Sequence, residues 1–187
     1  IANLYDKGLV GGLSTGLASV DKLFTVVPGQ LSVVTGLPGS GKSEFIDQIM
    51  VNLAQSEGWR FAVASFENPP PLHIAKLSEK YVGKPFFEGM PNRMSRVESV
   101  SAMKWVNDHF LFLEQRGGEA ATIDSILDRA RQAVMRLGIR GLVIDPYNYI
   151  SQSKSVDNEH QGINEMLTRL VAFARANQIH IWFIAHP

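Results

Sequence analysis

The residues with the most legible chemistry are Gly36-Leu37-Pro38-Gly39-Ser40-Gly41-Lys42-Ser43, a complete G-x-x-x-x-G-K-[ST] pattern. Glycines at these spacings let the backbone turn N–H groups inward around a phosphate, and a helix starting at Lys42 adds the partial positive charge of its N-terminus. Lys42 is then placed to reach the β- and γ-phosphates of ATP, and Ser43 to offer its hydroxyl to Mg2+. The chemistry requires a strand before the loop and a helix after it. Gln30 to Thr35 is a short β-rich run, and Lys42 to about Gln55 carries helical spacing, so the setting is present. The plainer alternative, a glycine-rich turn with no ligand, does not explain a match at every position.

A phosphate loop also needs a carboxylate that ends a neighbouring apolar strand and completes the Mg2+ shell, usually through water. Leu142-Val143-Ile144-Asp145 supplies one, because ligands collect at the carboxyl ends of parallel strands. The competing reading of Asp145 is a cap on the turn at Pro146. Hydrolysis further needs a group to polarise water, and Glu67 directly follows the apolar run Phe61 to Phe66. Spacing alone leaves Glu67 open between a general base and a solvated carboxylate before a proline-rich loop. His186, after the last apolar strand, is a candidate γ-phosphate contact or an ordinary strand-end histidine. His73, His109, His160 and His180 have no metal-ligand spacing and read as structural.

The elements that must position these groups alternate. After the Phe61–Phe66 strand, Pro69-Pro70-Pro71 is a stop; His73 to Tyr81 reads as a short helix, and Gly83 to Asn92 as loop. Ser95 to Asp108 has mixed helical spacing, and Phe110 to Leu113 is another strand candidate. From Thr122 to Leu137 the apolar residues Ile123, Ile126, Leu127, Ala130, Val134 and Leu137 share one helical face, with Thr122 as N-cap and Gly138 as stop. Gly141 to Ile144 is a strand, Ser151 to Gly162 a polar stretch, and Ile163, Leu167, Leu170, Val171 and Ala174 line a second amphipathic helix before a strand at Ile179 to Ala185. Unbroken apolar strands alternating with helices define an α/β fold, a mainly parallel sheet covered by helices on both faces.

Composition narrows the chemistry. With 187 residues, 45% hydrophobic and 19% charged, the sequence fits one domain with a single core. The absence of cysteine excludes disulfides, thiol catalysis and Cys-ligated metal. Eighteen basic residues balance eighteen acidic ones, so the chain is not a globally basic nucleic-acid coat and any DNA contact is local. No apolar run approaches the ~20 residues of a membrane span. The start at Ile1, with no initiator Met, reads as a piece excised from a longer chain.

Taken in order, Gly12-Leu13-Ser14-Thr15-Gly16, Ser19-Val20-Asp21-Lys22-Leu23, the phosphate loop, Phe66-Glu67-Asn68, the Asp145 strand and Ile184-Ala185-His186-Pro187 resemble the RecA-type motor of DnaB-like replicative helicases. The resemblance spans nearly the whole chain. In motif detail it is closest to Twinkle-like helicases and phage primase-helicases, since bacterial DnaB proteins more often carry Gln at the His186 position. It implies a RecA-like P-loop NTPase fold over residues 1–187 and an ATP-hydrolysing DNA helicase active in bacterial or phage cytoplasm or an organellar matrix. Lys42 and Ser43 would bind nucleotide and magnesium, Asp145 would be the Walker B acid, Glu67 the water-activating base and His186 the γ-phosphate sensor. The implied partners are single-stranded DNA, further copies in a hexameric ring, and an attached or separate primase. The family's arginine finger is expected beyond Pro187, so the domain reads as truncated there. Ser151 to Gly162 is the candidate DNA-contacting loop, although Lys154 is set against Asp157 and Glu159; Arg93 and Arg96 read as surface. The rival readings are a RecA/RadA-type recombinase, a clock-type ATPase, and a non-catalytic ATP-dependent assembly module. A small-molecule kinase fits less well, because no Arg-rich lid segment is evident.

Overall fold

Short apolar runs in this chain become strands, and the amphipathic segments between them become the crossover helices that parallel strands require. The computed structural model describes residues 11–65, 69–113, 122–145 and 159–185. In chain order the elements are β1 (Leu31–Thr35), α1 (Lys42–Glu57), β2 (Phe61–Ser65), α2 (Pro70–Val82), α3 (Arg96–His109), β3 (Phe110–Phe112), α4 (Ile123–Leu137), β4 (Gly141–Asp145), α5 (Glu159–Asn177) and β5 (His180–Ala185). The strands form one five-stranded sheet in the order β1-β5-β4-β2-β3, with every pairing parallel. The expected α/β architecture is therefore present.

Strand alternation divides the core into two layers. Ala62, Ala64, Leu142, Ile144, Ile181 and Phe183 face α4 and α5, where they meet Ile126, Leu127, Ala130, Leu170, Phe173 and Ala174. Phe61, Val63, Val143, Trp182 and Ile184 point the other way, onto Ile46, Ile49, Met50 and Leu53 of α1, Leu77 of α2 and Val106 of α3. Because β2 and β4 are buried on both faces, their sequences are continuous apolar runs without polar alternation.

Helix ends follow their capping chemistry. Ser95 caps α3 and Thr122 caps α4, each through a capping box, with Glu98 and Ser125 as the reciprocal partners. Lys84 and the Ser95 cap hold the Glu98 carboxyl far below its ordinary range, at about 2. Two boundaries differ from expectation by three residues or more. α2 starts at Pro70 instead of His73, because proline is tolerated in a first helical turn, where its missing N–H has no intrahelical partner to lose. α5 starts at Glu159, so the last residues of the expected polar stretch Ser151–Gly162 are helical. Apolar periodicity begins only at Ile163, and a polar first turn carries no such signal.

His180, at the start of β5, is fully buried between the strand layer and the N-terminal segment. Its Nδ1 donates to the Val27 carbonyl at 2.8 Å, which leaves Nε2 to accept from the Ser32 hydroxyl at 2.9 Å. Burial, only partly offset by the Val27 bond, pushes its pKa below the ordinary 6.5. An unfolded chain therefore takes up this proton more readily than the folded one. The contribution of neutral His180 to stability is complete above about pH 6.5 and is lost as pH falls through the folded pKa. Urea unfolding midpoints should drop from pH 7 to pH 5, and His180→Gln should show a flatter dependence over that range.

Candidate active site

The phosphate loop joins β1 to α1 as its sequence requires. Gly39 and Gly41 adopt φ of 75° and 85°, the left-handed region that side-chain-bearing residues avoid. Space does not demand glycine there, since a Cβ at either position would meet nothing within 4 Å. The backbone turn itself does. Gly41 is the N-cap of α1, and Lys42 and Ser43 are the first residues of that helix. The Lys42 ammonium folds back on the loop and donates to the carbonyls of Gly36 at 2.6 Å and Leu37 at 2.9 Å. An ammonium has three donors, so one N–H remains for an anion lying in the loop. Leu37, Pro38, Gly39, Ser40 and Gly41 are all exposed, leaving the loop open to a ligand.

Asp145 ends β4 and is buried, in register with Ser65 of β2. It shares the face of Gly141 and Val143, the face covered by α1, so the strand delivers its carboxylate to the side of the sheet where α1, with Ser43 in its first turn, lies. Thr35 and Ala185 are likewise paired at the ends of β1 and β5. The carboxyl ends of all these strands lie along one edge, which brings Gly36 to Ser43 and Asp145 together. Glu67 and His186 lie outside the described residues; β2 and β5 reach this edge two residues and one residue before them.

The donor set fits a magnesium nucleotide. Oxygen ligands from a hydroxyl and a carboxylate suit Mg2+, and the left-handed glycines and helix start suit the phosphates. Among the described residues no group of three or more His, Asp or Glu side chains forms a separate metal cluster.

Two further constellations surround the loop. Asp21 accepts hydrogen bonds from Ser14 Oγ at 2.5 Å and from Thr15 N and Oγ1 at 2.7 Å, which hold its carboxyl below the ordinary range. The Thr15 carbonyl in turn accepts from Asn52 of α1 at 2.8 Å, so the N-terminal motif clasps the back of the phosphate-loop helix. On its other flank, α1 is tied to α2 by a polar seam. Glu44 pairs with Lys76 at 3.0 Å and with Lys80, while Asp47 and His73 Nε2 meet at 2.9 Å in the core. Burial works against the Glu44 charge, but the two lysines outweigh it and hold the carboxyl low. His73 also rests edge-on against Phe112, with ring centroids 5.4 Å apart.

Sequence reasoning took His73 as structural but did not single out its partner Asp47. The available signal was complementary charge at helical spacing: Glu44 and Asp47 on one helix, His73, Lys76 and Lys80 on the next. His109 donates to the Trp105 carbonyl at 2.8 Å, as a structural residue should. Arg93 is committed to the Phe86 carbonyl at 2.8 Å and so stabilises its own loop. The Ser151–Gly162 candidate lies largely outside the described residues. No helix among the described residues is long and apolar enough to cross a membrane.

A parallel α/β sheet with this loop and strand-end acid defines a P-loop nucleotide-binding domain, and residues 9–187 match the AAA domain family, to which the chain belongs. The chain is 45% identical over 190 residues to the Twinkle homolog protein, chloroplastic/mitochondrial, of Arabidopsis thaliana, an alignment covering 98% of this chain and 27% of that protein. It is 28% identical over 179 residues to a probable plasmid replicative DNA helicase of Chlamydia psittaci, covering 92% and 38% of the two chains. This chain thus spans well under half the length of these curated relatives. Among solved structures, an ATPase domain superposes with a TM-score of 0.74 at 14% identity, covering 99% of this chain and 69% of that one. A DnaB-like replicative helicase, described with its interactions with primase, superposes with a TM-score of 0.76 at 15% identity, covering 99% and 46%. The fold is the RecA-like ATPase fold of DnaB-like helicases.

Proposed function

We propose that this domain is the ATP-driven motor of a replicative DNA helicase, coupling hydrolysis to translocation on single-stranded DNA and to duplex unwinding. The observation that carries the reading is the joint placement of the Gly36–Ser43 loop and Asp145 at one sheet edge, in a chain 45% identical to a Twinkle homologue. Lys42 neutralises the β- and γ-phosphates, and Ser43 and Asp145 hold the metal side of the nucleotide. Mg2+, when bound, supplies charge neutralisation between the phosphates. Glu67 accepts the proton of the attacking water, and His186 senses the γ-phosphate. The working assembly is a hexameric ring that places each ATP site beside a neighbouring subunit. An arginine from that neighbour completes the site, and a primase is the associated partner. The name of the Arabidopsis relative favours an organellar setting, and the Chlamydia relative a bacterial one.

A forked DNA duplex with one labelled strand separates this reading from its rivals. The full-length protein should displace that strand continuously with ATP and Mg2+, and not with a non-hydrolysable analogue. ATP-dependent filaments that pair homologous strands without displacing one would favour a recombinase. Tight nucleotide binding with no turnover on DNA would favour an assembly module.

A further inference from the structure

Ser65 is the last residue of β2 and pairs with Asp145 in the parallel ladder. Residues opposite one another in a parallel pair present their side chains to the same face, so Ser65 accompanies Asp145 toward α1 and the phosphate loop. Its hydroxyl oxygen is shielded from solvent and makes no hydrogen bond to any described residue. A buried hydroxyl left in that condition costs its lost hydration, so such groups are normally satisfied by ordered water or a ligand. Trp182 Nε1 and His73 Nδ1 are also buried without a hydrogen-bond partner among the described residues, but Trp182 lies in the middle of β5 and His73 is held on α2 against Asp47 and Phe112. Ser65 is different in lying at the ligand edge beside the acid. Alanine or valine there would continue the apolar run Phe61–Ala64 and avoid the desolvation cost altogether.

We propose that Ser65 is a positioning residue for the metal side of the nucleotide site, its hydroxyl holding, jointly with Asp145, the water that links this carboxylate to Mg2+. The inference rests on the nucleotide-site reading given above. Mg2+ keeps several of its waters when protein-bound, and a carboxylate that reaches it through water needs that water oriented by a second group. Ser65 has the right chemistry for this, as a hydroxyl both donates and accepts.

The test compares affinities for a non-hydrolysable ATP analogue with Mg2+ and with EDTA, by calorimetry on the full-length protein. The ratio of the two affinities measures the coupling between metal and nucleotide without reference to turnover. Ser65→Ala should lower that ratio by about 10-fold, as expected for losing a group that orients a metal's outer shell. Its affinity in EDTA should stay unchanged, and its nucleotide-free thermal unfolding unchanged or raised, because an unsatisfied buried hydroxyl has been removed. Ser65→Thr, which keeps the hydroxyl, should retain most of the coupling, and Asp145→Asn should abolish it. A wild-type ratio in Ser65→Ala overturns the proposal while leaving the nucleotide site intact. Equal losses with and without Mg2+ also overturn it, since they mean general distortion. A wild-type protein with no Mg2+ dependence would remove the site reading itself.

Discussion

Glu67→Gln should lower steady-state ATP hydrolysis by about 10²–10⁴, the range for loss of a positioned general base, while leaving ATP affinity essentially unchanged. The amide matches the carboxylate in size but cannot take a proton from water at neutral pH. Binding depends on the phosphate loop, which this substitution does not touch, so binding and chemistry should separate. Phosphate release and equilibrium nucleotide binding, measured on the full-length protein with single-stranded DNA, give the two halves of the result. Turnover at the wild-type rate would make Glu67 a loop carboxylate and require another group to activate water. A parallel loss of binding would mean that the substitution disturbs the loop.

Lys42→Ala should weaken nucleotide binding by about 10²-fold, since hydrogen bonds to charged groups contribute about 1.5–3 kcal/mol each. Two effects act in the same direction. In the proposed site the ammonium is the charge that faces the β- and γ-phosphates, and it also bonds the Gly36 and Leu37 carbonyls that shape the loop. Losing the second set leaves the loop less ordered before any ligand arrives, so part of the penalty is organisational. ADP and ATP should both suffer, ATP more, because only ATP carries the γ-phosphate. Calorimetry with ADP and a non-hydrolysable ATP analogue reads both numbers, and equal affinity for mutant and wild type would remove the phosphate-binding role.

The strands that frame this site were legible because burial on both faces forces unbroken apolar runs, and Leu142 to Ile144 could hardly be anything else. The loop was legible because its backbone turn demands glycine at fixed positions. α4 was read nearly to the residue, since both its cap Thr122 and its stop Gly138 carry side-chain-level signals. The N-terminus of α5 was not, because Glu159 to Gly162 are polar and a first turn needs no apolar residue. The start of α2 was hidden for the opposite reason: a proline run reads as a stop, although two of its members open the helix. Tertiary partnerships were the least visible. Nothing local marks Ser65 as the neighbour of Asp145, because their pairing depends on sheet order across a span containing α2, α3, β3 and α4. Asp47 looks like one more helix acid until α2 is laid against it.

The polar seam between α1 and α2 has a mechanical consequence. Directional bonds from Glu44 to Lys76 and Lys80 and from Asp47 to His73 oppose shear, since sliding either helix by one turn would part Asp47 from His73 and leave Glu44 with one of its two lysines. Between α4 and α5 the packed core is apolar, with the exposed Arg169–Asp124 pair and Arg131 over the Phe173 ring adding polar ties at its margin. α1 carries the phosphate loop at its head, and α2 is joined through a short connection to the end of β2. These two helices therefore travel as one stiff wedge, and the short chain segment that contains Glu67 runs from β2 to the α2 arm of that wedge. The sheet thus carries a directionally bonded helix pair on the face of the phosphate loop and a mainly apolar pair on the other, so strain raised at the nucleotide edge is held first by the α1–α2 wedge.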